Sequence, residues 1–249
     1  MPPHPRTPLR DAPVPGWLGR ALSPAELAEV ERLQPMIRPL RAGDSLYQQG
    51  DDGAYITFLM DGWAFREQYL SDGRRQILEF SLPGTVFGFA AEGQTSHGVT
   101  LLTGALVSQF SRLAFYELMQ RLPCLAVTMV THLAYRRSLA YEHLTTIGQR
   151  TARERVAHLL CELFVLGRDH APLGADGSMF MPITQPQIGD ALGLSAVHVN
   201  RMLMALRRDH IAELRERRLR VFDLPCLAEE GGFDLEAASQ WNAATLRAA

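Results

Sequence analysis

Residues 183–206, ITQPQIGDALGLSAVHVNRMLMAL, constrain this chain more than any other stretch, because every local signal in it specifies the same shape, two short helices joined by a tight turn. Thr184 and Gln187 form a T-x-x-Q capping box, in which the hydroxyl accepts from the Gln187 amide while the Gln187 side chain reaches back. Ile183 and Ile188 stand at the spacing of a hydrophobic staple, and Pro186 falls in the first turn, where a missing N–H costs little. Gly193 supplies the sharp turn, and Ser195 caps a second helix with Leu194 and Val199 again at staple spacing. Within that helix Val199, Met202, Leu203 and Leu206 recur at intervals of three and four and make one apolar stripe. Ala196, Val197, Asn200, Arg201 and Met204 fall on the opposite face.

A helix pair that presents Arg and Asn outward near the start of its second helix suits the major groove of double-stranded DNA. Arg can bond bidentately to guanine and Asn to adenine, each worth about 1–3 kcal/mol of discrimination. Asn200 and Arg201 are therefore the expected base readers, with Ala196 and Val197 against thymine methyl groups. Beyond Arg207 and Arg208, residues 211–214 and 219–222 can pair as strands around a charged turn at residues 215–218, which makes a wing. Arg201, Arg207, Arg208, Arg215, Arg217, Arg218 and Arg220 outweigh Asp190, Asp209, Glu213 and Glu216, so the region is net +3 in a chain of net −2. A local basic surface of this kind meets phosphates. Thr184, Ser195, His198, Arg207, Arg215, Arg217 and Arg218 are the candidate phosphate contacts.

The chain has 249 residues, 47% of them apolar and 21% charged, enough for two modest domains with separate cores. No apolar run approaches the roughly 18–20 residues needed to span a bilayer, and the proline-rich start has no signal-peptide core, so a cytoplasmic location is expected, with no membrane partner. All 25 basic residues are Arg, which reads as a genome-wide coding bias rather than chemistry. Cys124, Cys161 and Cys226 are widely spaced and signal neither a disulfide framework nor a metal site.

Residues 1–22 read as a flexible arm, with six prolines among the first 20 residues. Ser23, Pro24 and Glu26 then open a short helix through another capping box. From Leu40 to about Ser111 the apolar period is two, and Gly-Asp and Asp-Gly pairs punctuate it. Asp61-Gly62, between ITFLM and WAFRE, and Asp72-Gly73, between EQYL and RQILEF, are hairpin signals. Several short strands with such turns indicate an antiparallel sandwich or barrel. Residues 123–147 form a long helix with two seams at coiled-coil spacing. One seam carries Leu125, Met129, His132, Arg136 and Leu139, and the other Val130, Leu133, Arg137, Ala140, Leu144 and Ile147. Such a helix can pack on its own β domain and on a partner at once. Thr151 and Glu154 open the next helix, which runs to about Leu166.

The stretch LSAVHVNRMLMALRR, with the wing after it, resembles the winged helix-turn-helix of the Crp/Fnr (cyclic-AMP receptor and fumarate-nitrate regulator) family, and the resemblance extends from about Gly84 through Phe222. AGDSLYQQGD and the hairpins after it resemble that family's sensor roll. The resemblance implies an α+β fold, with an N-terminal antiparallel β-roll of jelly-roll type, a long dimerisation helix and a C-terminal winged helix-turn-helix. The corresponding boundaries are 1–22 for the arm, 23–118 for the sensor roll, 119–147 for the dimerisation helix, 148–226 for the DNA-binding domain and 227–249 for a tail. It also implies a homodimer on palindromic promoter sites, with RNA polymerase as a partner. The dimer interface is then expected at Leu125, Met129, His132, Leu133, Arg136, Leu139, Ala140 and Leu144.

Members that bind cyclic nucleotides hold the ribose with a Glu and the phosphate with an Arg-Ser pair. The matching places here carry Gly88-Phe89 and Ser96-His97, and Ala140-Tyr141 replace the Thr-Ser pair that reaches the adenine. These six residues mark a possible effector pocket, but nothing basic except His97 lies between Arg75 and Arg112, so cyclic AMP is not the expected ligand and the effector is unknown. Family members that sense oxygen through an iron-sulfur cluster need four cysteines, and this chain has three. His97 is the lone His between residues 40 and 111, too few for a metal, a haem or the catalytic centre of a jelly-roll enzyme, and no cofactor is expected. His132 and His143 lie about 16 Å apart along one helix, too far to share a metal.

Overall fold

The computed structural model describes residues 13–89, 94–168, 170 and 173–238. Helices α1 (Gly16–Ala21) and α2 (Pro24–Glu31) precede strands β1 (Met36–Leu40), β2 (Ser45–Tyr47), β3 (Tyr55–Asp61), β4 (Ala64–Tyr69), β5 (Arg75–Ser81), β6 (Val86–Phe87), β7 (Gly98–Leu101) and β8 (Ala105–Ser111). These strands make two antiparallel sheets, ordered β1-β8-β3-β6 and β2-β7-β4-β5, which is a jelly roll. Leu59, Phe87, Val99, Leu101 and Val107 fill the space between them.

Of the two Asp-Gly pairs, Asp72-Gly73 turns the β4–β5 hairpin, closed by the Leu70 amide on the Arg74 carbonyl. Asp61-Gly62 is not a hairpin, which corrects the expectation from sequence. β3 and β4 belong to different sheets, and the pair is the corner where the chain crosses between them. Gly62 has φ +92°, and a Cβ there would lie 2.6 Å from the Gly104 carbonyl oxygen, so the corner admits no side chain. An Asp-Gly pair records the left-handed turn and not the partner of the strand that follows.

Helices α3 (Arg112–Arg121) and α4 (Pro123–Gln149) pack on the outer face of the first sheet. Ile56, Phe58 and Phe110 from the strands meet Phe115 and Leu118 of α3 and Leu125 and Met129 of α4. Val14 and Leu18 are buried in the same cluster, so the described part of residues 1–22 is folded rather than a flexible arm, and residues 1–12 lie outside the described residues. Each such buried side chain contributes roughly 1.5–3 kcal/mol, enough to hold a one-and-a-half-turn helix that has little stability of its own.

The C-terminal part comprises α5 (Ala152–Gly167), β9 (Met179–Phe180), α6 (Gln185–Leu192), α7 (Ala196–Arg208), β10 (Ala212–Arg215), β11 (Arg218–Val221) and α8 (Leu224–Gly231). The wing is a three-stranded sheet ordered β10-β11-β9. Its turn places Glu216 and Arg217 at φ 52° and 60°, the left-handed pair that a two-residue hairpin requires. A boundary at 226 would cut α8, whose Leu227 and Ala228 are buried in the core around α5. The described part of the tail is thus integral to this domain; residues 239–249 lie outside the described residues.

The two halves share one core. Trp63, Phe65, Ile77, Phe80 and Leu82, from β4, β5 and the residues that flank them, belong to the same apolar cluster as Leu160, Ile188, Leu192, Val199 and Leu206. Arg75 on β5 bonds Asp190 of α6, and Gln76 donates to the Ala191 carbonyl. At the α4–α5 elbow His143 Nε2 lies 2.7 Å from the buried Glu162 carboxylate, which raises the imidazole pKa to about 9. Among the described residues no helix is long and apolar enough to cross a membrane.

Candidate DNA interface and the cavity of the roll

Each boundary of the helix pair is set by its own side chains. The Thr184 hydroxyl accepts from the Gln187 amide, and Gln187 Oε1 accepts from the Thr184 amide at 2.9 Å. Gly193, at φ +65°, ends α6 in the left-handed conformation. The Ser195 hydroxyl accepts from the His198 amide and lies 3.1 Å from His198 Nδ1. Val199, Leu203 and Leu206 are buried, and Ala196, Val197, Asn200, Arg201 and Met204 are exposed together on the other side of α7. Gln185 Nε2 donates to Asn200 Oδ1 across 3.3 Å, so α6 orients the side-chain amide of Asn200. Sequence reasoning misses Gln185, although its place at the start of the capped helix carries the signal.

Among the candidate phosphate contacts, Thr184, Ser195, His198, Arg207, Arg215 and Arg217 are exposed. Arg207 also pairs with Glu213 and Arg215 with Glu216. Arg218 is a correction. Its Nε bonds the Ser178 hydroxyl at 2.6 Å and its Nη2 the Ser178 carbonyl at 2.9 Å, so its guanidinium ties the wing to the loop before β9.

The expected effector residues do not converge. Gly88 backs onto the Tyr55 carbonyl, and Phe89 packs on Phe115 and Tyr116, away from the interior of the roll. Ala140 and Tyr141 are exposed on α4. The helix makes its polar contact with the roll one turn earlier, at Arg136, about 6 Å along its axis from Ala140. His97 Nε2 lies 3.1 Å from the Tyr47 hydroxyl and 3.0 Å from Arg66 Nη1. Burial and the neighbouring Arg66 lower its pKa, which keeps the ring neutral. Cationic groups reach the surroundings of His97 and Glu79 from outside the stretch between Arg75 and Arg112. Arg66 comes from β4 and Arg136 from α4, and both pair with Glu79 of β5, at 2.7 and 2.9 Å. No group of three or more potential metal ligands occurs among the described residues.

The seam of α4 is also corrected. Leu125 and Met129 are buried against their own roll, Leu133 packs at the edge of the same cluster, His132 stacks on Trp17 and Arg136 pairs with Glu79. These five side chains are taken up by contacts within the chain, while Ala140 and Leu144 of the expected interface are exposed. The face left open carries Val127 (64% exposed), Val130 (61%), Tyr141 (59%) and Leu144 (67%), which with Ala134 and Arg137 step by three and four.

A jelly roll feeding a long helix and a winged helix-turn-helix whose recognition face is open and carries Asn200 and Arg201 defines a DNA-binding regulator with a sensor-type domain. Residues 37–122 match the family described as "Cyclic nucleotide-binding domain" and residues 154–230 the one described as "Crp-like helix-turn-helix domain". The chain is 31% identical over 215 residues to the transcriptional activator protein FnrL of Cereibacter sphaeroides, covering 84% of this chain and 85% of that protein. It is 30% identical over 197 residues to the nitrogen fixation regulation protein FixK of Rhizobium meliloti, covering 76% and 87%. The solved structure of FixK2 from Bradyrhizobium japonicum superposes with a TM-score of 0.71 at 26% identity, over 78% of this chain and 96% of that one. The chain belongs to the Crp/Fnr family of transcription regulators.

Proposed function

We propose that the protein binds palindromic promoter DNA as a homodimer, through a second copy seated on the open seam of α4, and that it works without cyclic AMP. The observation that carries this is the apolar heptad face of Val127, Val130, Tyr141 and Leu144, exposed along a helix whose opposite face is already buried in its own roll. A two-fold partner on that face presents two recognition helices, matching half-sites about 34–36 Å apart. Asn200 and Arg201 read bases, Ala196 and Val197 contact thymine methyl groups, and Thr184, Ser195, His198, Arg207, Arg215 and Arg217 hold phosphates. RNA polymerase is the partner at the promoter, and regulation, not catalysis, is the activity; the names of the relatives support the regulatory activity. Selection of bound DNA from a random pool tests the reading. A palindrome enriched by the purified chain, and abolished by Leu144→Glu, supports it; an asymmetric half-site bound by a monomer overturns it.

A second reading, that no small molecule is needed, is favoured by the ion pairs that Arg66 and Arg136 already make with Glu79. Enrichment of the same palindrome with and without a small-molecule extract supports it, and enrichment with extract alone rejects it.

A further inference from the structure

Three charges from three elements meet at the open end of the roll, and reading DNA does not explain them. Glu79 Oε1 accepts from Arg66 Nε at 2.7 Å, while Glu79 Oε2 lies 2.9 Å from Arg136 Nη2, so one carboxylate joins strands β4 and β5 to the long helix α4. The side chains of Arg66, Glu79 and Arg136 are 21%, 15% and 19% exposed. One carboxylate between two guanidiniums leaves a net positive charge in a place largely withdrawn from water, a costly arrangement unless every polar atom is satisfied. Two are not: Arg136 Nε and His132 Nε2 are buried without a hydrogen-bond partner among the described residues.

The other groups around the carboxylate are committed. Arg66 spends Nη1 on His97 and Nη2 on the Val86 carbonyl and lies over the Phe87 ring. On the α4 side, Trp17 stacks on His132 with ring centroids 4.3 Å apart, and its indole N–H donates to the Gly84 carbonyl. Burial, with Arg136 alongside, pushes the His132 pKa down to about 3, so no third cation competes for the carboxylate. Burial alone would raise the Glu79 carboxyl, but Arg136 and Arg66 outweigh it and hold it well below the usual carboxylate range. Glu79 is thus a permanent anion between two cations that belong to different elements.

We propose that Glu79 acts as a built-in ligand between the roll and the long helix: its carboxylate holds α4 against the roll in the DNA-reading arrangement, and a site emptied by shortening it accepts a free carboxylate. The chemistry recognised is a small monocarboxylate flanked by two guanidiniums. This inference rests on the proposed DNA-binding function for one of its two readouts and is independent of it for the other.

The test uses the full chain, as wild type, Glu79→Ala and Glu79→Gln, with acetate as the probe against chloride at equal ionic strength. DNA affinity and thermal melting are read in both salts. Glu79→Ala is expected to weaken DNA binding by about 5- to 150-fold, the usual range of coupling between sites. Acetate restores binding and raises the melting temperature of this variant selectively. Glu79→Gln loses binding to a similar degree but gains nothing from acetate, because its amide fills the hole. Wild-type DNA affinity in Glu79→Ala, or an acetate effect equal in all three proteins or absent from Glu79→Ala, overturns the proposal. Should Glu79→Ala fail to fold, Glu79→Gln, which keeps the volume, decides: wild-type affinity in it overturns the proposal, and loss of affinity in a folded dimer upholds it. A wild-type protein that selects no DNA sinks the proposed function, while the selective melting response to acetate still judges the cavity.

Discussion

Arg75 Nη2 donates to Asp190 Oδ2 across 2.7 Å, joining the β4–β5 hairpin of the roll to the first helix of the helix-turn-helix. The pair is partly exposed and rests on an apolar contact, with the Arg75 guanidinium 5.4 Å from the centre of the Phe65 ring. Arg75→Ala and Asp190→Ala should each lower stability by about 0.2–1 kcal/mol, and the double variant by little more than either. Phe65→Ala should lower it by about 3–5 kcal/mol and separate one melting transition into two. Denaturant titration of the four proteins checks both statements; a larger loss at Arg75 than at Phe65 would show that charge, not packing, docks the domains.

Arginines in and near the wing should divide into three behaviours. Arg201→Ala relaxes the preference at one base pair per half-site and costs about 1–3 kcal/mol on the best sequence. Arg217→Ala weakens all sequences alike and lowers the salt slope by about 0.9 for each phosphate it neutralises. Arg218→Ala leaves the salt slope unchanged and lowers stability, because its guanidinium is held by Ser178. Binding curves over a range of salt, on matched and mismatched sites, separate the three.

How far each feature could be read from the sequence follows from the distance between the residues that define it. The three capping boxes, Ser23 with Glu26, Thr151 with Glu154 and Thr184 with Gln187, are written within four residues each, and all three form. The recognition face follows from the apolar stripe of a single helix. The Arg66–Glu79–Arg136 triad draws on strands and a helix separated by up to 70 residues, and no local pattern marks it. Helix α4 is the intermediate case. Both of its faces are apolar, so periodicity reveals two seams, but only the packing of Leu125 and Met129 on Phe58 and Phe115 decides which one the roll covers.

That assignment separates two leucines of one helix. Leu144→Glu should convert the proposed dimer to a monomer with near-native stability, since the side chain is 67% exposed in the single chain. Leu125→Ala should lower stability by about 2–5 kcal/mol and leave assembly unchanged while the protein remains folded. Sedimentation and melting, measured on both, distinguish the outer seam from the inner one; a monomeric Leu125→Ala would put Leu125 back in the interface beside Leu144, where the sequence alone places both.

The elbow between α4 and α5 should respond to pH. His143 is charged because Glu162 lies beside it, with His158 at 4.0 Å from the same carboxylate and itself held below its ordinary pKa by burial. A His with a raised folded pKa stabilises fully below its unfolded value near 6.5 and loses that contribution as pH rises through about 9. Wild-type stability should therefore fall from about pH 6.5 to 9, and His143→Gln should remove this fall while leaving Glu162 buried and unpaired. Melting temperatures across that window supply the check, and an unchanged slope in His143→Gln would assign the titration elsewhere.

Because Trp63, Phe65, Ile77, Phe80 and Leu82 complete the core of the reader domain, the border between the halves runs through the middle of a shared interior. A chimera cut in the linker before Thr151 and fused to a foreign sensor would carry a bare greasy face into solution. Any exchange of sensors has to transplant those five residues with the reader, so the unit that can be swapped is larger than the unit that touches DNA.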